Sequence, residues 1–211
     1  MKTAIVLGAG GLVGRSLVKF LLADSRYGKV VVLVRRKLDI IHVKLQQHIF
    51  DFDCPDNNLL VADEIFCCLG TTIKTAGSKD AFYKVDHDYV INIAGLVFLN
   101  GVKKFALVSS MGANENSGVF YNRTKGKTES DLKKIGFEQL IILRPSLLLG
   151  NRSEFRLGES IAKLLLVNIS FVIPKKYKPI RGSQVAQALI SSMNSTEKGI
   201  HVIESDVVST L

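Results

Sequence analysis

The sequence predicts an α/β fold in which one open, doubly wound parallel sheet is flanked by helices. Three observations predict it: short runs rich in valine and isoleucine recur, segments with helical periodicity separate them, and a glycine-rich turn follows the first run. Strands that alternate with helices are typical of parallel sheets covered on both faces. The 211 residues suit a single domain, 1–211, in which about 145–195 contribute a small C-terminal substrate lobe.

The elements follow one another in alternation. We predict strands at Thr3–Leu7, Val30–Val34, Ile65–Leu69, Phe105–Ser109, Leu140–Leu143 and near Ile200–Ile203, with a further, third strand ending at Phe50–Asp53. We predict helices at Leu12–Leu22, from about Lys79 to Leu99, at Tyr121–Lys134 and from about Ser183 to Met193. Three glycines are placed to end helices in the left-handed conformation, namely Gly28, Gly101 and Gly136.

Composition limits the classes of function. The net charge is +9, but the basic residues are scattered without a long stripe interleaved with aromatics, so we expect no nucleic-acid partner. No apolar run reaches the roughly 18 residues of a membrane span. Cys54, Cys67 and Cys68 are odd in number and two are adjacent, which disfavours a disulfide framework. We therefore expect a cytoplasmic protein.

The glycine-rich turn indicates a Rossmann-type nucleotide site. Gly8, Gly10, Gly11 and Gly14 stand between the first strand and helix, where free N–H groups of the helix face an anion. Gly8 permits the tight turn, and Gly14 lets helix and strand pack closely. Gly10 or Gly11 lets a pyrophosphate approach, since both G-x-G-x-x-G and G-x-x-G-x-x-G fit. An ordinary tight turn is the alternative.

The end of the second strand predicts which dinucleotide binds. An NAD site has an acidic residue about 20 residues after the glycines, whereas Arg35 and Arg36 stand there in this chain. Guanidinium groups suit a 2′-phosphate, so we predict NADP(H), with Arg35 nearest the phosphate and Arg36 or Lys37 assisting. A solvent-facing basic strand end is the alternative.

Tyr121 and Lys125 form a candidate catalytic pair. They are four residues apart at a helix start and share one face. An ammonium beside a phenol lowers the phenol's pKa and can hold the nicotinamide ribose, while the tyrosine moves the substrate proton. Ser109 and Ser110 end the fifth strand, where a hydroxyl can orient a carbonyl. A surface helix pair is the alternative.

Further cofactor contacts are predicted where other strands end. Asp51 and Phe52 are expected beside the adenine; Gly70 lets its loop pass close to the cofactor, and Thr71 can donate to a phosphate or ribose hydroxyl. Plain polar turns would also explain these residues. The full predicted set is Gly8, Gly10, Gly11, Leu12, Gly14, Arg35, Arg36, Asp51, Phe52, Leu69, Gly70, Thr71, Tyr121 and Lys125.

Five segments together resemble the atypical short-chain dehydrogenase/reductase superfamily, specifically its Tat-interacting-protein-like, NmrA-related branch: the glycine turn, CCLGTT, VSSMGA, YNRTK and LRPSLLLG. The similarity runs from about Lys2 to Gly158. The resemblance implies a Rossmann fold, NADPH bound by Gly8, Gly11, Gly14 and Arg35, and a catalytic set of Ser110 or Ser109 with Tyr121 and Lys125.

Two departures from that superfamily bear on activity. Ser110 precedes Tyr121 by 11 residues, which is shorter than the usual spacing, and Asp86 replaces the asparagine that often completes the proton relay. We expect an NADPH-dependent oxidoreductase acting on a small carbonyl or related substrate. The alternative is an NADP(H)-binding regulatory or redox-sensing protein that signals to a protein partner. Sugar-nucleotide epimerisation is a lesser alternative, because such enzymes use a long C-terminal domain that this chain lacks.

Two further predictions concern metals and substrate. His42, His48, His87 and His201 lack metal-ligand spacing, so we expect no metal. The candidates for substrate contact in the lobe are Arg152, Phe155 and Arg156.

Overall fold

The structure, a computed structural model, describes residues 1–149 and 174–208. Its strands are β1 (Lys2–Leu7), β2 (Tyr27–Val34), β3 (Leu45–Ile49), β4 (Glu64–Cys67), β5 (Lys104–Val108), β6 (Gln139–Arg144), β7 (Leu148–Leu149), β8 (Ile180–Arg181) and β9 (Gly199–Glu204). Within the described residues, seven strands form one sheet in the order β3-β2-β1-β4-β5-β6-β9, and β7 pairs with β8. Every pair in the sheet is parallel.

The helices that connect these strands are α1 (Leu12–Ala23), α2 (Ile73–Ala76), α3 (Lys79–Tyr83), α4 (Tyr89–Leu99), α5 (Phe120–Lys133), α6 (Gly182–Met193) and α7 (Ser205–Val208). Short 3₁₀ turns cover Asn57–Leu59 and Lys175–Tyr177, and a π-helical turn, Lys84–Asp88, joins α3 to α4. No helix in the described part of the chain is long and apolar enough to cross a membrane.

Both faces of the sheet are buried, which confirms the predicted doubly wound architecture. Side chains alternate along β1, so Val6 packs with α1 and α6 on one face, whereas Ile5 and Leu7 pack with α4 on the other. The near-continuous apolar strands are therefore explained by burial on both faces.

The helix ends agree with the sequence at two glycines and disagree at the third. Gly101 and Gly136 have positive φ values of 85° and 98° and follow helices as predicted. The prediction for Gly28 is wrong, because α1 ends at Ala23 and Gly28 is the second residue of β2. Its lack of a side chain instead makes room for Met1, whose Cβ would lie 2.9 Å from a Cβ at Gly28.

Two other elements differ in detail from the predicted ones. The single helix predicted from Lys79 to Leu99 contains the π turn, which adds a residue to one turn of the helix. The edge strand β3, with the sequence LQQHI, is half exposed and lacks the apolar run that reveals the inner strands. Only its end was predicted.

Much of the predicted substrate lobe lies outside the described residues. Arg152, Phe155 and Arg156 belong to the range 150–173, which the structure does not describe. Within the predicted lobe, α6 packs against α1 in the main helical layer. The first residue of α6, Gly182, lies close to Leu12 at the start of α1, since a Cβ there would be 2.8 Å from Leu12 Cγ.

Candidate functional site

The carboxyl ends of the strands bring the predicted site residues to one edge of the sheet. Since all pairings are parallel, the residues that follow β1, β2, β4 and β5 share that edge. They include Gly8 after β1, Arg35 after β2, Gly70 after β4, and Ser109 directly after β5. This edge is the candidate functional site.

The glycine turn is shaped by close backbone contacts. Gly8 has a φ of 74°, and a Cβ there would overlap the Cys68 carbonyl. A Cβ at Gly14 would overlap the Gly8 carbonyl, so α1 packs directly on the turn. At Gly10, by contrast, the nearest atom to a Cβ is Leu38 Cδ2 at 3.8 Å. The turn therefore needs glycine at positions 8 and 14 for folding and leaves space above position 10.

The rest of the turn leads directly into α1. Gly11 N–H donates to the Gly8 carbonyl at 3.0 Å, and Leu12 is the first residue of the helix. Arg15, which sequence reasoning missed, donates from Nε to the Gly10 carbonyl at 3.1 Å. Its position directly after Gly14 was the available signal. A side chain of α1 therefore stabilises the conformation of the glycine turn.

Three cations at the end of β2 carry no partner within the part of the chain that the structure describes. Arg35, Arg36 and Lys37 are exposed, and no hydrogen bond or ion pair engages them there. The segment after them is fixed by Gln47 of β3, which accepts from Leu38 N–H at 2.8 Å and donates to the Leu38 carbonyl at 3.2 Å. Sequence reasoning missed Gln47, whose role no motif signals.

The segment after β3 places one predicted residue in the interior and one at the surface. Phe52 is buried, with its ring 5.4 Å from that of Tyr89, whereas Asp51 is exposed and its Oδ1 accepts from Asp53 N–H at 2.9 Å. An open surface depression of about 480 Å³ lies beside Phe52, and it is lined also by Asp53, Asp80, Lys84, Asp88, Tyr89 and Asn92. Its polar rim and aromatic wall provide surfaces for stacking and hydrogen bonding.

Tyr121 and Lys125 lie on the first turns of α5, as their spacing predicted. The Tyr121 ring is half-buried and lies 5.4 Å from the Phe82 ring. The Lys125 side chain is only 7% exposed, and its Nζ lies 2.6 Å from Asp86 Oδ1. Burial works to lower the pKa of Lys125, but the Asp86 carboxylate and Tyr121 together outweigh it and raise that pKa.

Asp86 lies in the π turn and is fully buried. Its Oδ2 accepts from Thr71 N–H at 2.8 Å, and its carbonyl oxygen lies 2.9 Å from the Thr128 hydroxyl that donates to it. Gly70 leaves room for the pair, since a Cβ there would lie 3.3 Å from Asp86 Oδ1 and 3.6 Å from Lys125 Nζ. The loop that carries Leu69, Gly70 and Thr71 is thereby joined to α5.

The two candidate serines have different surroundings. Ser109 is buried and donates to Glu129 Oε1 at 2.5 Å. Glu129 in turn accepts three hydrogen bonds from Arg144, two from Nε and one from Nη2, which lies 2.6 Å from Oε2. The Ser110 hydroxyl is buried and has no hydrogen-bond partner among the described residues. A buried hydroxyl without a partner is uncommon, so Ser110 is the serine with a free donor.

These features fit a nicotinamide dinucleotide. The turn over Gly10 leaves room for a diphosphate at a helix N-terminus, the cations after β2 suit a further phosphate, and Ser110 offers an unused hydroxyl. Among the described residues, no group of three or more histidine, cysteine or acidic side chains could hold a metal ion.

Comparison with known proteins gives matches over most of the chain. Residues 8–160 match a protein-family profile described as NAD(P)H-binding. The chain is 38% identical to rat "Protein HTATIP2" over 168 residues, which cover 77% of this chain and 69% of that one. It is 40% identical to "Protein FMP52, mitochondrial" of Candida glabrata over 161 residues, covering 74% and 68% respectively.

A solved structure shares the fold at much lower sequence identity. "MoeE5 in complex with UDP-glucose and NAD" superposes with a TM-score of 0.74 and 16% identity, covering 99% of this chain and 80% of that one. At this identity, the similarity shows the fold alone.

Proposed function

Because this chain belongs to the NAD(P)H-binding family of proteins, we propose that it is an NADPH-dependent oxidoreductase of the atypical short-chain dehydrogenase/reductase type. The reaction is hydride transfer to a small carbonyl or related substrate. The observation that carries the proposal is the convergence of four features at one sheet edge. They are the glycine turn, the Tyr121–Lys125 pair, and the cations after β2 and the Ser110 hydroxyl, which have no partner among the residues that the structure describes. We further propose that 1–211 form one domain whose substrate side includes about 145–195.

The cofactor lies, in this proposal, across the carboxyl ends of the strands. The start of α1, with Gly10, Gly11 and Leu12, binds the pyrophosphate. Arg35 and Arg36 bind the 2′-phosphate, which only NADP(H) carries. Phe52 and Asp51 would hold the adenine, and Leu69, Gly70 and Thr71 would hold the nicotinamide half. The Thr71 N–H already donates to Asp86, so its hydroxyl makes the contact.

Proton transfer falls to residues of this chain. When bound, NADPH supplies the hydride. Ser110 donates to the substrate carbonyl oxygen and orients it, and Tyr121 delivers the proton to the same oxygen. Lys125 fixes the ribose and the phenol. Ser109 supports the strand end through Glu129 and is not free to contact substrate.

A fluorescence titration with NADPH and NADH tests the cofactor assignment. The wild type is expected to bind NADPH well and NADH poorly. In Arg35→Ala, the difference between the two affinities is expected to disappear, because this variant lacks the guanidinium of the proposed 2′-phosphate site. Failure of both nucleotides to bind at micromolar levels would contradict the proposal. A carbonyl panel with NADPH then tests chemistry, where unchanged turnover in Tyr121→Phe would remove that residue from its assigned role.

The second candidate function is an NADP(H)-binding regulatory protein without turnover. Two departures from the superfamily's pattern favour it: Ser110 precedes Tyr121 by only 11 residues, and Asp86 stands where the superfamily's proton relay often has asparagine. This function predicts cofactor binding, no reduction of any carbonyl, and a protein partner whose affinity depends on NADP(H). A partner that bound equally with and without the cofactor would count against it.

The cellular location is also a proposal. The composition favours the cytoplasm, whereas the Candida glabrata relative is named mitochondrial. Imaging of a full-length fluorescent fusion against a mitochondrial marker would distinguish the two compartments.

A further inference from the structure

The Asp86 carboxylate connects three parts of the candidate site. One oxygen faces Lys125 Nζ on α5, and the other accepts from Thr71 N–H in the loop after β4. Its backbone carbonyl accepts from Thr128, one turn further along α5. Because side chain and main chain are both held, the carboxylate has a fixed position within the π turn.

The ion pair is buried on both sides. The Asp86 side chain has no exposure and the Lys125 side chain only 7%. A buried ammonium without a counter-ion loses its proton at a lower pH than an exposed one, because burial disfavours the charged form. Removing one partner of such a pair leaves the other uncompensated. Lys125 therefore depends on Asp86 for its charge.

Three groups that act electrostatically on the ammonium come from three different elements. They are Asp86 in the π turn, Tyr121 on α5 and Cys67 at the end of β4. By their ordinary chemistry, carboxylates are ionised at neutral pH, whereas phenols and thiols are neutral there. Asp86 is thus the group in this set that can balance Lys125.

We propose that Asp86 is a positioning residue for proton transfer: it keeps the buried Lys125 charged and fixed beside Tyr121. The inference rests on the proposed function for its catalytic meaning, whereas the pairing itself is a property of the protein without cofactor. In Asp86→Asn, the neutral amide retains the shape and an acceptor for Thr71 N–H but removes the counter-charge. Lys125 then gives up its proton at lower pH, so the alkaline limit of function moves down.

The test follows Lys125 directly by NMR of the full-length protein with 13C-labelled lysines, whose Lys125 signal is assigned by its loss in Lys125→Arg. The wild-type signal is expected to show no titration up to pH 10. In Asp86→Asn, its midpoint is expected to fall by at least about one pH unit. Asp86→Glu keeps the negative charge, so the Lys125 midpoint in this variant is expected to lie at higher pH than in Asp86→Asn.

Glu64→Gln is the matched control. Glu64 is also a buried carboxylate 2.6 Å from a lysine Nζ, that of Lys2, but it lies at the opposite edge of the sheet. This variant is expected to melt at lower temperature while the Lys125 titration stays as in the wild type. Equal Lys125 midpoints in the wild type and Asp86→Asn would overturn the proposal. If Asp86→Asn does not fold, a wild-type Lys125 that titrates below pH 9 would overturn it instead.

NADPH affinity measured from pH 6 to pH 9.5 separates this inference from the proposed function. We expect Asp86→Asn to lose affinity several-fold as the pH rises, whereas the wild type and Glu64→Gln do not. A shifted Lys125 midpoint in a protein that binds no NADPH would support the pairing and contradict the proposed function. Normal NADPH binding with an unshifted Lys125 midpoint would support the proposed function and contradict the role of Asp86.

Discussion

The amino edge of the sheet, where its strands begin, and the carboxyl edge, where its strands end, each bury a carboxylate paired with a lysine. The surroundings of the two pairs differ. At the amino edge, the first residues of three strands meet, and Glu64 binds Lys2 Nζ and the Tyr27 hydroxyl, each at 2.6 Å. Asn194 completes this group, since it accepts from Lys2 at 2.7 Å and donates to Tyr27 at 2.8 Å. Each of these polar groups therefore has a partner within the protein.

At the carboxyl edge, partners are missing beside the pair. Asp86 and Lys125 are joined, yet the Ser110 hydroxyl nearby is buried without a partner among the described residues, and Arg35 and Arg36 are unpaired there. A buried ion pair alone therefore does not distinguish a site from a structural support. The buried Ser110 hydroxyl together with the exposed cations Arg35 and Arg36 marks the carboxyl edge, whereas at the amino edge the buried Gln139 Oε1 lacks a partner among the described residues.

The largest expected effect comes from adding a methyl group inside the carboxyl edge. Gly14→Ala would force its Cβ into the Gly8 carbonyl, so we expect a loss of about 3 kcal/mol in the free energy of unfolding, measured by chemical denaturation. Gly10→Ala is the matched control because its Cβ has space towards Leu38. Its unfolding free energy is expected to stay near that of the wild type, while NADPH affinity falls because the methyl meets the pyrophosphate.

Equal stability losses in both glycine variants would show that the turn has no space reserved for a ligand. Position 10 would then be as tightly packed as position 14.

At the amino edge, Tyr27→Phe is expected to cost about 2 kcal/mol of stability, because Glu64 and Asn194 each lose a buried partner. NADPH affinity is expected to remain unchanged. Burial raises the pKa of Tyr27, and the hydrogen bond that its hydroxyl donates to Glu64 and the charge of that carboxylate raise it further. The hydroxyl therefore stabilises the fold fully below about pH 10, and its contribution declines above that pH as the unfolded tyrosine ionises.

Thermal melts between pH 7 and pH 11 check this prediction. The wild type should lose more stability over the upper part of that range than Tyr27→Phe does. A change of NADPH affinity in Tyr27→Phe would mean that the amino edge is coupled to the site.

The adjacent serines allow a smaller test within the carboxyl edge. Ser109→Ala removes a hydrogen bond to the buried Glu129 and is expected to cost about 1.5 kcal/mol, measured by denaturation. Ser110→Ala removes a hydroxyl that has no partner among the described residues, so stability should change little and any carbonyl turnover should fall. If Ser110→Ala lost stability and Ser109→Ala lost turnover instead, Ser109 would be the residue that faces the substrate.

The smallest effect concerns thiol reactivity and leaves the fold unchanged. Burial raises the pKa of Cys67 to about 12 and also raises that of Cys68, whereas Cys54 is exposed. Alkylation of the native protein at pH 8, followed by peptide mass spectrometry, is expected to modify Cys54 alone. Modification of Cys67 would show that the strand end at the carboxyl edge opens to solvent.

Sequence patterns predicted the sheet because strands buried on both faces are continuously apolar, and they predicted the site edge because parallel strands end together. They predicted only the end of β3. This strand is partly exposed, so it lacks the continuous apolar run of the inner strands. They also misplaced Gly28, since a glycine after a helix can equally serve the close approach of another segment.

Within the candidate site, the sequence left open which serine is free. The answer depends on Glu129, which lies 20 residues from Ser109 in the chain but within hydrogen-bond distance in space. Likewise, Asp86 reaches Lys125 only through the π turn, which propensities do not reveal. Contacts of this kind depend on tertiary packing and have no local signature.

The π turn at Lys84–Asp88 also has a consequence for how this protein can change over evolution. A π turn holds one residue more than the α-helical turn it replaces, so deletion of a single residue would restore a regular helix. The part of the helix before the deletion would then rotate by about 100° relative to α4. The direction of Asp86 is therefore encoded in the length of the chain, and a lineage could gain or lose its pairing with Lys125 by one codon insertion or deletion.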